Sequence, residues 1–274
     1  MRSLTVLWLC AFLTASAGQA ATLYGITLGN RNLIAIDTAT GAGTLVGNIP
    51  FISSGAELGA TGGDLYAFDL FSNEFNTDRF ARINPANADF ISTATAGIDV
   101  VGEGGMAFRP DGRAFLSDSG VSSGTLFLCD VTINDGCSLV ATLPVSMDGL
   151  ALASNGTLYG LSQDTSQLYT IDTSTGASTL VGSSGMPNTD DRGGLTFGPG
   201  DILYAAFDDS LWTFNTATGA ATLIGAIGFN DVAGITYLDT LPVPEPGTLI
   251  LLTGALAGLL WKRRWNRSFP AARR

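Results

Sequence analysis

The chain has 274 residues, of which 35 are glycine, and it carries a formal net charge of −11 with no histidine. The missing imidazole excludes Ser-His-Asp and Cys-His catalysis and histidine metal sites, and an acidic surface repels nucleic acid and anionic membranes. Short β-rich segments at regular spacing, without a long amphipathic helix, favour one all-β domain.

The first 20 residues have the three parts of a secretory signal peptide. Arg2 precedes an apolar run from Leu4 to Leu13, and small residues then lead to a cleavage site after Ala20 or after Ala17. We prefer Ala20, so residues 1–20 are predicted to be the signal peptide. An uncleaved helical anchor is the alternative, but the apolar run is too short to span a membrane.

Five copies of a hairpin-like module follow this segment. Its best copy, Leu168 to Gly182, joins two apolar, β-branched segments through the turn sequence Asp-Thr-Ser-Thr-Gly. In that turn Asp172 can accept backbone N–H bonds and Gly176 can adopt a positive φ. The other copies are Leu33 to Gly47, Phe80 to Thr93, Leu126 to Leu143 and Leu211 to Gly225. Their first turn residues, Asp37, Asn84, Asp130, Asp172 and Asn215, recur with the period of a four-stranded propeller blade.

A second module lies between these hairpins and supplies the other two strands of each blade. It consists of a strand opened by glycine, a glycine-containing turn and then Leu-Tyr or a relative, and it covers Gly59 to Phe68, Gly105 to Leu116, Gly149 to Leu161 and Gly194 to Ala206. The two ends of the domain each hold half of it, Thr22 to Ile26 and Ala233 to Tyr237. Placed side by side, these halves complete a blade and close a ring without free sheet edges.

The predicted fold is therefore an all-β, five-bladed β-propeller over residues 22–240, closed by its N- and C-terminal strands. A six-bladed ring would need another copy of the pattern in the longer loops, and none has it. An open solenoid would not explain complementary halves at the two ends. The Leu-Tyr-x-Ile-Asp…Thr-Gly hairpin resembles the repeats of quinoprotein-type and other secreted bacterial propellers. It lacks the tryptophan usual in quinoprotein blades, so the resemblance implies the blade and not the cofactor.

The two cysteines of this domain, Cys129 and Cys137, face each other across the third hairpin. In an oxidising compartment they predict a disulfide rather than free thiols, because the neighbouring acids Asp130 and Asp135 would disfavour a reactive thiolate.

The predicted inner strand of each blade opens with a glycine, which is Gly59 in the second blade. An acidic residue lies one to three positions before each of these glycines. Since inner strands line the central channel of a propeller, these carboxylates could ring one mouth and hold a metal ion. Ca²⁺ is the natural candidate outside the cell, and no cofactor is required otherwise. The predicted ligands are Glu57, Glu103, Asp148, Asp191 and Asp231. The alternative is chance, because residues 22–243 contain 23 acids against six arginines, a net charge of −17.

Aromatic residues also recur at one blade position. Tyr24, Tyr66, Tyr159 and Tyr204 occupy it, and their regular place favours packing between blades over sugar-stacking platforms.

The C-terminal 34 residues have a different composition. A proline-rich segment, residues 241–247, ends the folded domain, because proline cannot continue a strand or helix. The apolar stretch Thr248 to Trp261 is predicted to be a single transmembrane helix, with residues 262–274 as a basic cytoplasmic tail. A buried core helix is the alternative, but such helices rarely end in an arginine cluster.

A proline-rich segment, an apolar helix and a basic tail in this order resemble the PEP-CTERM sorting signal of exopolysaccharide-making Gram-negative bacteria. The residues that carry the resemblance are Pro244, Glu245, Pro246, Lys262, Arg263 and Arg264. The resemblance implies an exported precursor anchored in the inner membrane. It further implies processing by an exosortase near Pro-Glu-Pro and a final place at the cell surface or in the extracellular matrix. The extra residues Ser268 to Arg274 depart from the pattern but lie in the part that processing would discard.

Two functions fit these features. The first is a non-enzymatic surface or matrix protein, associated with biofilm, whose propeller binds extracellular polysaccharide or another surface protein. The alternative is a glycoside hydrolase or lyase that uses the carboxylates of the channel mouth on exopolysaccharide.

Overall fold

The computed structural model describes residues 22–50, 55–69, 78–100, 102, 104–119, 123–162, 164–186, 193–207 and 209–238. These residues form 20 β-strands, and their only helical element is one 3₁₀ turn, Pro199–Asp201. The predicted signal peptide, the proline-rich segment, the apolar stretch and the basic tail lie outside the described residues. Within the described part, no helix is long and apolar enough to cross a membrane.

The strands form five antiparallel sheets of four strands each, and each sheet is a blade that runs from an inner strand to an outer one. Blade 1 consists of β20 (Val232–Leu238), β1 (Thr22–Thr27), β2 (Asn32–Ile36) and β3 (Gly43–Asn48). Blade 2 consists of β4 (Gly55–Thr61), β5 (Asp64–Asp69), β6 (Arg79–Ile83) and β7 (Phe90–Thr95). Blade 3 consists of β8 (Met106–Phe108), β9 (Ala114–Asp118), β10 (Gly124–Cys129) and β11 (Cys137–Leu143).

The last two blades repeat this order without interruption. Blade 4 consists of β12 (Gly149–Leu152), β13 (Leu158–Ser162), β14 (Gln167–Ile171) and β15 (Ser178–Ser183). Blade 5 consists of β16 (Leu195–Gly198), β17 (Ile202–Phe207), β18 (Ser210–Phe214) and β19 (Ala221–Ala226). Each inner strand also contacts the inner strands of the two neighbouring blades, so the five sheets close into a ring. The predicted all-β, five-bladed propeller is confirmed.

The ring is closed by the two ends of the domain. Strand β20 pairs antiparallel with β1 from Thr22 opposite Leu238 to Thr27 opposite Val232, with one irregularity next to Thr27. Blade 1 therefore takes its inner strand from the C-terminal end and its other three strands from the N-terminal end, as the two half-modules predict. This pairing covers the inner edge of β1, which would otherwise be open.

The hydrophobic core is divided among the five seams between blades. Each seam has its own cluster of buried side chains drawn from two successive blades. In the seam between blades 2 and 3, for example, Phe68 and Phe80 pack with ring centroids 5.1 Å apart and are almost fully buried. Because no cluster is shared by all five blades, stability rests on every seam being filled.

The hairpin turns between the third and outer strands have the predicted local structure. The first turn residue accepts a backbone N–H bond from the residue two positions on, at 2.8 to 3.0 Å, in all five blades. Gly41, Gly176 and Gly219 have φ between 74° and 84°. Blade 2 has Ala88 in this conformation and blade 3 has Asp135, so the positive φ is kept where the glycine is not.

These turns also attach each blade to the preceding one, a contact that no sequence pattern predicts. A Cβ on Gly41 would lie 2.7 Å from the Gly225 carbonyl oxygen of blade 5, and one on Gly219 would lie 2.6 Å from that of Gly182 in blade 4. The N–H of Gly43 donates to the Ile227 carbonyl at 2.8 Å across the same seam as Gly41. The Thr-Gly sequence of one blade's turn thus packs against the Leu-Val-Gly or Leu-Ile-Gly sequence in the outer strand of the preceding blade.

Candidate functional site

The central channel is the place where all five blades meet, and at one end of it four of the five inner strands carry a glycine. Gly105, Gly149, Gly194 and Gly234 occupy one equivalent position, immediately before the central residues of the inner strands. A Cβ on Gly149 would lie 2.8 Å from the Cβ of Leu195 in the next inner strand, and a Cβ on each of the other three would meet the neighbouring backbone more closely still. At these four positions the inner strands therefore approach each other at distances that only glycine allows.

Glu57 occupies the fifth of these positions. It precedes Leu58 as Gly234 precedes Ile235, and a Cβ on Gly234 would lie 2.9 Å from the Glu57 Cα. Its side chain is only 3% exposed. The sequence pattern predicts Gly59 in this role, but the register pairs Gly59 with Tyr66 as it pairs Ala151 with Tyr159. Gly59 is therefore two residues further along the strand than predicted, and a buried carboxylate replaces the glycine.

Only three of the five acidic residues predicted to ring the channel mouth are among the described residues. Glu103 and Asp191 lie outside the described residues. Asp148, half-buried, directly precedes Gly149, and its N–H donates to the Leu161 carbonyl at 2.9 Å. Asp231 is exposed and comes three residues before Gly234, with a positive φ of 56°.

The three described acids thus stand at three different positions relative to the inner strands. No group of three or more His, Cys, Asp or Glu that could hold a metal ion is present in the described ranges. The five-carboxylate Ca²⁺ site stays a prediction.

Asp231 belongs to a local network with blade 5. Its N–H donates to the Asp209 carboxylate at 2.8 Å, and its carbonyl accepts from the Leu28 N–H at 2.8 Å. Asp209 also has a positive φ and accepts from the Ile227 N–H through its carbonyl at 2.8 Å. These bonds fix the connection that leads into β20, so Asp231 has a structural role at the closing seam.

The other end of the channel contains a cavity of about 130 Å³ lined by all five inner strands. Met106, Phe108 and Phe197 give it an apolar wall, and Thr196, Thr236 and Tyr237 give it polar atoms. Its volume corresponds to about four water molecules, so water or one small group can fill it.

Tyr237 links this cavity to the seam between blades 5 and 1. Burial raises the pKa of its hydroxyl to about 12, and side-chain hydrogen bonds join it to Thr38 and Tyr204. The Tyr237 and Tyr204 rings pack with centroids 5.5 Å apart. This phenol is neutral at every physiological pH and acts as a hydrogen-bonding group.

The recurring tyrosines pack between blades, as predicted. Tyr66 contacts Phe108 with centroids 5.6 Å apart, and Tyr159 contacts Phe197 with centroids 5.5 Å apart. Tyr24 joins the cluster between blades 1 and 2. Burial raises the pKa of the Tyr24 and Tyr66 hydroxyls, in agreement with a packing role.

Cys129 and Cys137 form a disulfide at the base of the third hairpin. Its turn is bonded to blade 2: the Asp135 N–H donates to the Thr95 carbonyl at 2.8 Å, and the Thr95 N–H donates to the Asn134 side chain at 3.0 Å. The Cys137 N–H donates to the Ala96 carbonyl at 3.2 Å. The disulfide therefore braces the hairpin that joins blades 2 and 3.

Blade 2 contains a buried ion pair and a second buried carboxylate. The Arg79 guanidinium donates to the Asp69 carboxylate at 2.8 Å, and Asp69 is fully buried. Asp78, also buried, accepts the Val100 N–H at 2.7 Å. No sequence signal marks these residues, because an acid or arginine in a strand is as readily exposed as buried.

Comparison with known proteins gives one match for the C-terminal segment and a separate one for the fold. Residues 242–264 match the family model described as the PEP-CTERM protein-sorting motif. No curated protein matches the chain. Among solved structures, a chain from the crystal structure of a nidogen/laminin complex is similar to this one at 11% identity and a TM-score of 0.54. The match covers 81% of this chain and 100% of that one, and at this identity it shows the fold alone. The protein therefore carries a PEP-CTERM protein-sorting motif directly after a five-bladed β-propeller.

Proposed function

We propose that this protein is an exported precursor that an exosortase processes, and that its propeller then serves as a non-catalytic binding scaffold at the cell surface or in the extracellular matrix. The observation that carries the proposal is the position of the sorting motif. The last strand of the ring ends at Leu238, and the matched motif begins at residue 242.

This position allows processing without damage to the fold. A cut near Pro244, Glu245 and Pro246 would fall after β20, which is the inner strand of blade 1 and completes the ring. The released propeller would keep all 20 strands. A cut upstream of Val232 would instead remove an inner strand and expose the edge of β1.

The scaffold part of the proposal rests on chemistry. The chain has no histidine, and its only lysine, Lys262, belongs to the sorting motif. At the channel, Glu57 is buried beside the backbone of Gly234, and this burial argues against a role in attack on a glycoside. The partners we propose are an exosortase in the inner membrane and then extracellular polysaccharide or another surface protein, in keeping with a place in biofilm. A bound Ca²⁺ at the acidic mouth remains part of this proposal.

The test is the fate of the full chain in cells that contain an exosortase. The wild-type chain is expected in the surface or extracellular fraction as a shortened product. A variant with Pro244→Ala, Glu245→Ala and Pro246→Ala is expected to remain in the inner membrane at the length of the precursor. Equal distribution and equal length of both chains would refute processing at the motif.

The binding role is tested with exopolysaccharide from the same cells. Retention of the processed protein on the polysaccharide without a change in polymer length is expected. Depolymerisation that is lost in Asp148→Asn would instead support the hydrolase or lyase.

A further inference from the structure

A second cavity lies away from the central channel, between blade 2 and the hairpin turn of blade 3, and we name it the seam pocket. Its volume is about 120 Å³. The aromatic and apolar side chains that line it are buried, whereas its hydroxyl-bearing side chains are exposed, so it has an apolar floor and a polar rim. The floor consists of Tyr66, Phe80, Ala94 and Val131, and the rim of Ser92, Thr93 and Thr132.

Arg82 lines the seam pocket at a blade position that carries no charge elsewhere. It lies opposite Tyr66 in the pairing of the second and third strands. The residues paired in the same way in the other four blades are uncharged: Ala35, Leu128, Thr170 and Thr213. The repeat therefore does not require an arginine here, and blade 2 has one of its own.

The Arg82 guanidinium is incompletely used within the described part of the chain. Its Nη2 donates to the Asp64 carboxylate at 2.5 Å. Its Nε is buried and has no hydrogen-bond partner among the described residues. An unpaired buried donor is costly, and it calls for a partner that the protein itself does not supply. The arginine thus keeps donor capacity for a bound molecule.

The charges near the seam pocket balance. Arg82 is paired with Asp64. Hydrogen bonds from Thr132 and the positive charge of Arg113 lower the pKa of Asp130, at the start of the turn that borders the pocket. Two arginines and two carboxylates therefore lie close together, in a domain whose surface is otherwise strongly acidic. That surface repels an anionic ligand, so a neutral one is favoured.

The rim favours a ligand that donates as well as accepts hydrogen bonds. The Thr132 hydroxyl already donates to the Asp130 carboxylate at 2.6 Å. The Thr93 hydroxyl already donates to the Phe80 carbonyl at 3.0 Å. Both threonines can therefore only accept from a ligand, whereas Arg82 can only donate. Two neighbouring sugar hydroxyls meet both needs, because each hydroxyl donates and accepts.

We propose that the seam pocket binds the hydroxyl-bearing edge of one neutral sugar residue. One hydroxyl accepts from the Arg82 guanidinium, its neighbour donates to Thr93 or Thr132, and C–H groups of the ring lie on the apolar floor. The volume takes such an edge and leaves the rest of the ring in solvent. This inference rests on the polysaccharide-binding part of the proposed function, to which it gives a place and a class of sugar.

NMR of the full chain tests the pocket directly, with ¹⁵N in arginine and in a detergent without a sugar headgroup. A buried Nε–H exchanges slowly with water, so Arg82 should give a signal of its own, identified by its loss in Arg82→Met. The neutral probes are D-glucose, D-galactose and D-mannose, and the charged probe is D-glucuronate. We expect at least one neutral sugar to shift the Arg82 signal saturably, and glucuronate to shift it less at equal concentration.

Two variants separate direct contact from charge. The Thr93→Val, Thr132→Val variant removes both acceptors but keeps the Arg82 signal, and it should weaken sugar binding about tenfold or more. The control Arg113→Met removes an arginine of similar side-chain exposure, 46% against 41% for Arg82, that does not line the pocket. It should leave the affinity unchanged within about threefold. Thermal melts check that both variants fold.

Three results would overturn the seam pocket: no shift with any neutral sugar, a larger shift with glucuronate, or equal affinity in the threonine variant and the Arg113→Met control. Retention on host exopolysaccharide reports separately on the proposed function. Retention of the polymer without a shift at Arg82 would refute the pocket alone. A shift at Arg82 without retention would support the pocket and refute polymer binding.

Discussion

The disulfide between Cys129 and Cys137 should stabilise the propeller by a measurable amount. The two residues are eight positions apart, and the chain-entropy model gives about 2.5 kcal/mol for so short a loop. In a domain of this size 1 kcal/mol shifts Tm by about 2–4 °C, so reduction of the bond should lower Tm by about 5–10 °C. The measurement is a pair of thermal melts, with and without reductant.

The same experiment has a local readout. The hairpin closed by this disulfide is bonded to Thr95 and Ala96 of blade 2, so reduction should speed hydrogen exchange at the Asp135 and Cys137 amides before it affects the other seams. The Cys129→Ala, Cys137→Ala variant controls for effects of the reductant, since it should not respond to it. Melts that agree within about 2 °C and unchanged exchange at the hairpin would refute the reasoning.

Three further predictions concern the channel and the turns. Gly234→Ala places a methyl group against the Leu58 backbone, so it should lower the free energy of unfolding, measured by denaturant titration, by about 2 kcal/mol or more. The control Gly29→Ala should be nearly neutral, because its methyl group meets only Asp231 at 3.8 Å. Equal losses in the two variants would contradict the close packing of the inner strands. Hydrogen bonds from Thr132 and Ser174 lower the pKa of Asp130 and Asp172, so the stability these carboxylates contribute is present above the ordinary aspartate pKa and is lost as pH falls through the folded value. The Asp130→Asn, Asp172→Asn variant should therefore lose less Tm than the wild type between about pH 6 and pH 3, and an identical loss would show that the turns do not contribute. If the five acids bind Ca²⁺, adding it should raise Tm relative to a chelator, and a calcium-insensitive melt would remove the site.

The repeat period and the closure of the ring could be predicted because they depend on local patterns. Turn residues such as Asp172 and Gly176 mark each hairpin, and the half-modules at Thr22 and Ala233 are visible as incomplete copies. The sorting motif could be predicted for a similar reason, since it is an order of three compositions along the chain.

Close approaches between blades could not be predicted in this way. Gly41 and Gly225 are 184 positions apart, and nothing in either sequence neighbourhood states that they touch. The misplacement of Gly59 has a related cause, because loops of different length precede each inner strand and a glycine two residues later looks equivalent. Only the strand register shows that Glu57 holds the glycine position.

The exposed aliphatic residues of the outer strands are visible in the sequence only as part of the strand pattern. An apolar residue such as Leu180 next to Val181 in an outer strand predicts one buried side chain, and the sequence does not say which of the two is exposed. The structure assigns 51% exposure to Leu180 and buries more of Val181. The outer strand also carries an irregularity of register at this point, which a period-two pattern does not contain.

Mass spectrometry of the terminal peptides of the protein recovered from the cell surface or medium tests the central claim most directly. The expected chain begins at Ala21 and ends near Pro244, with every strand from Thr22 to Leu238 retained. An intact chain from Met1 to Arg274 found only in the cytosol would contradict it.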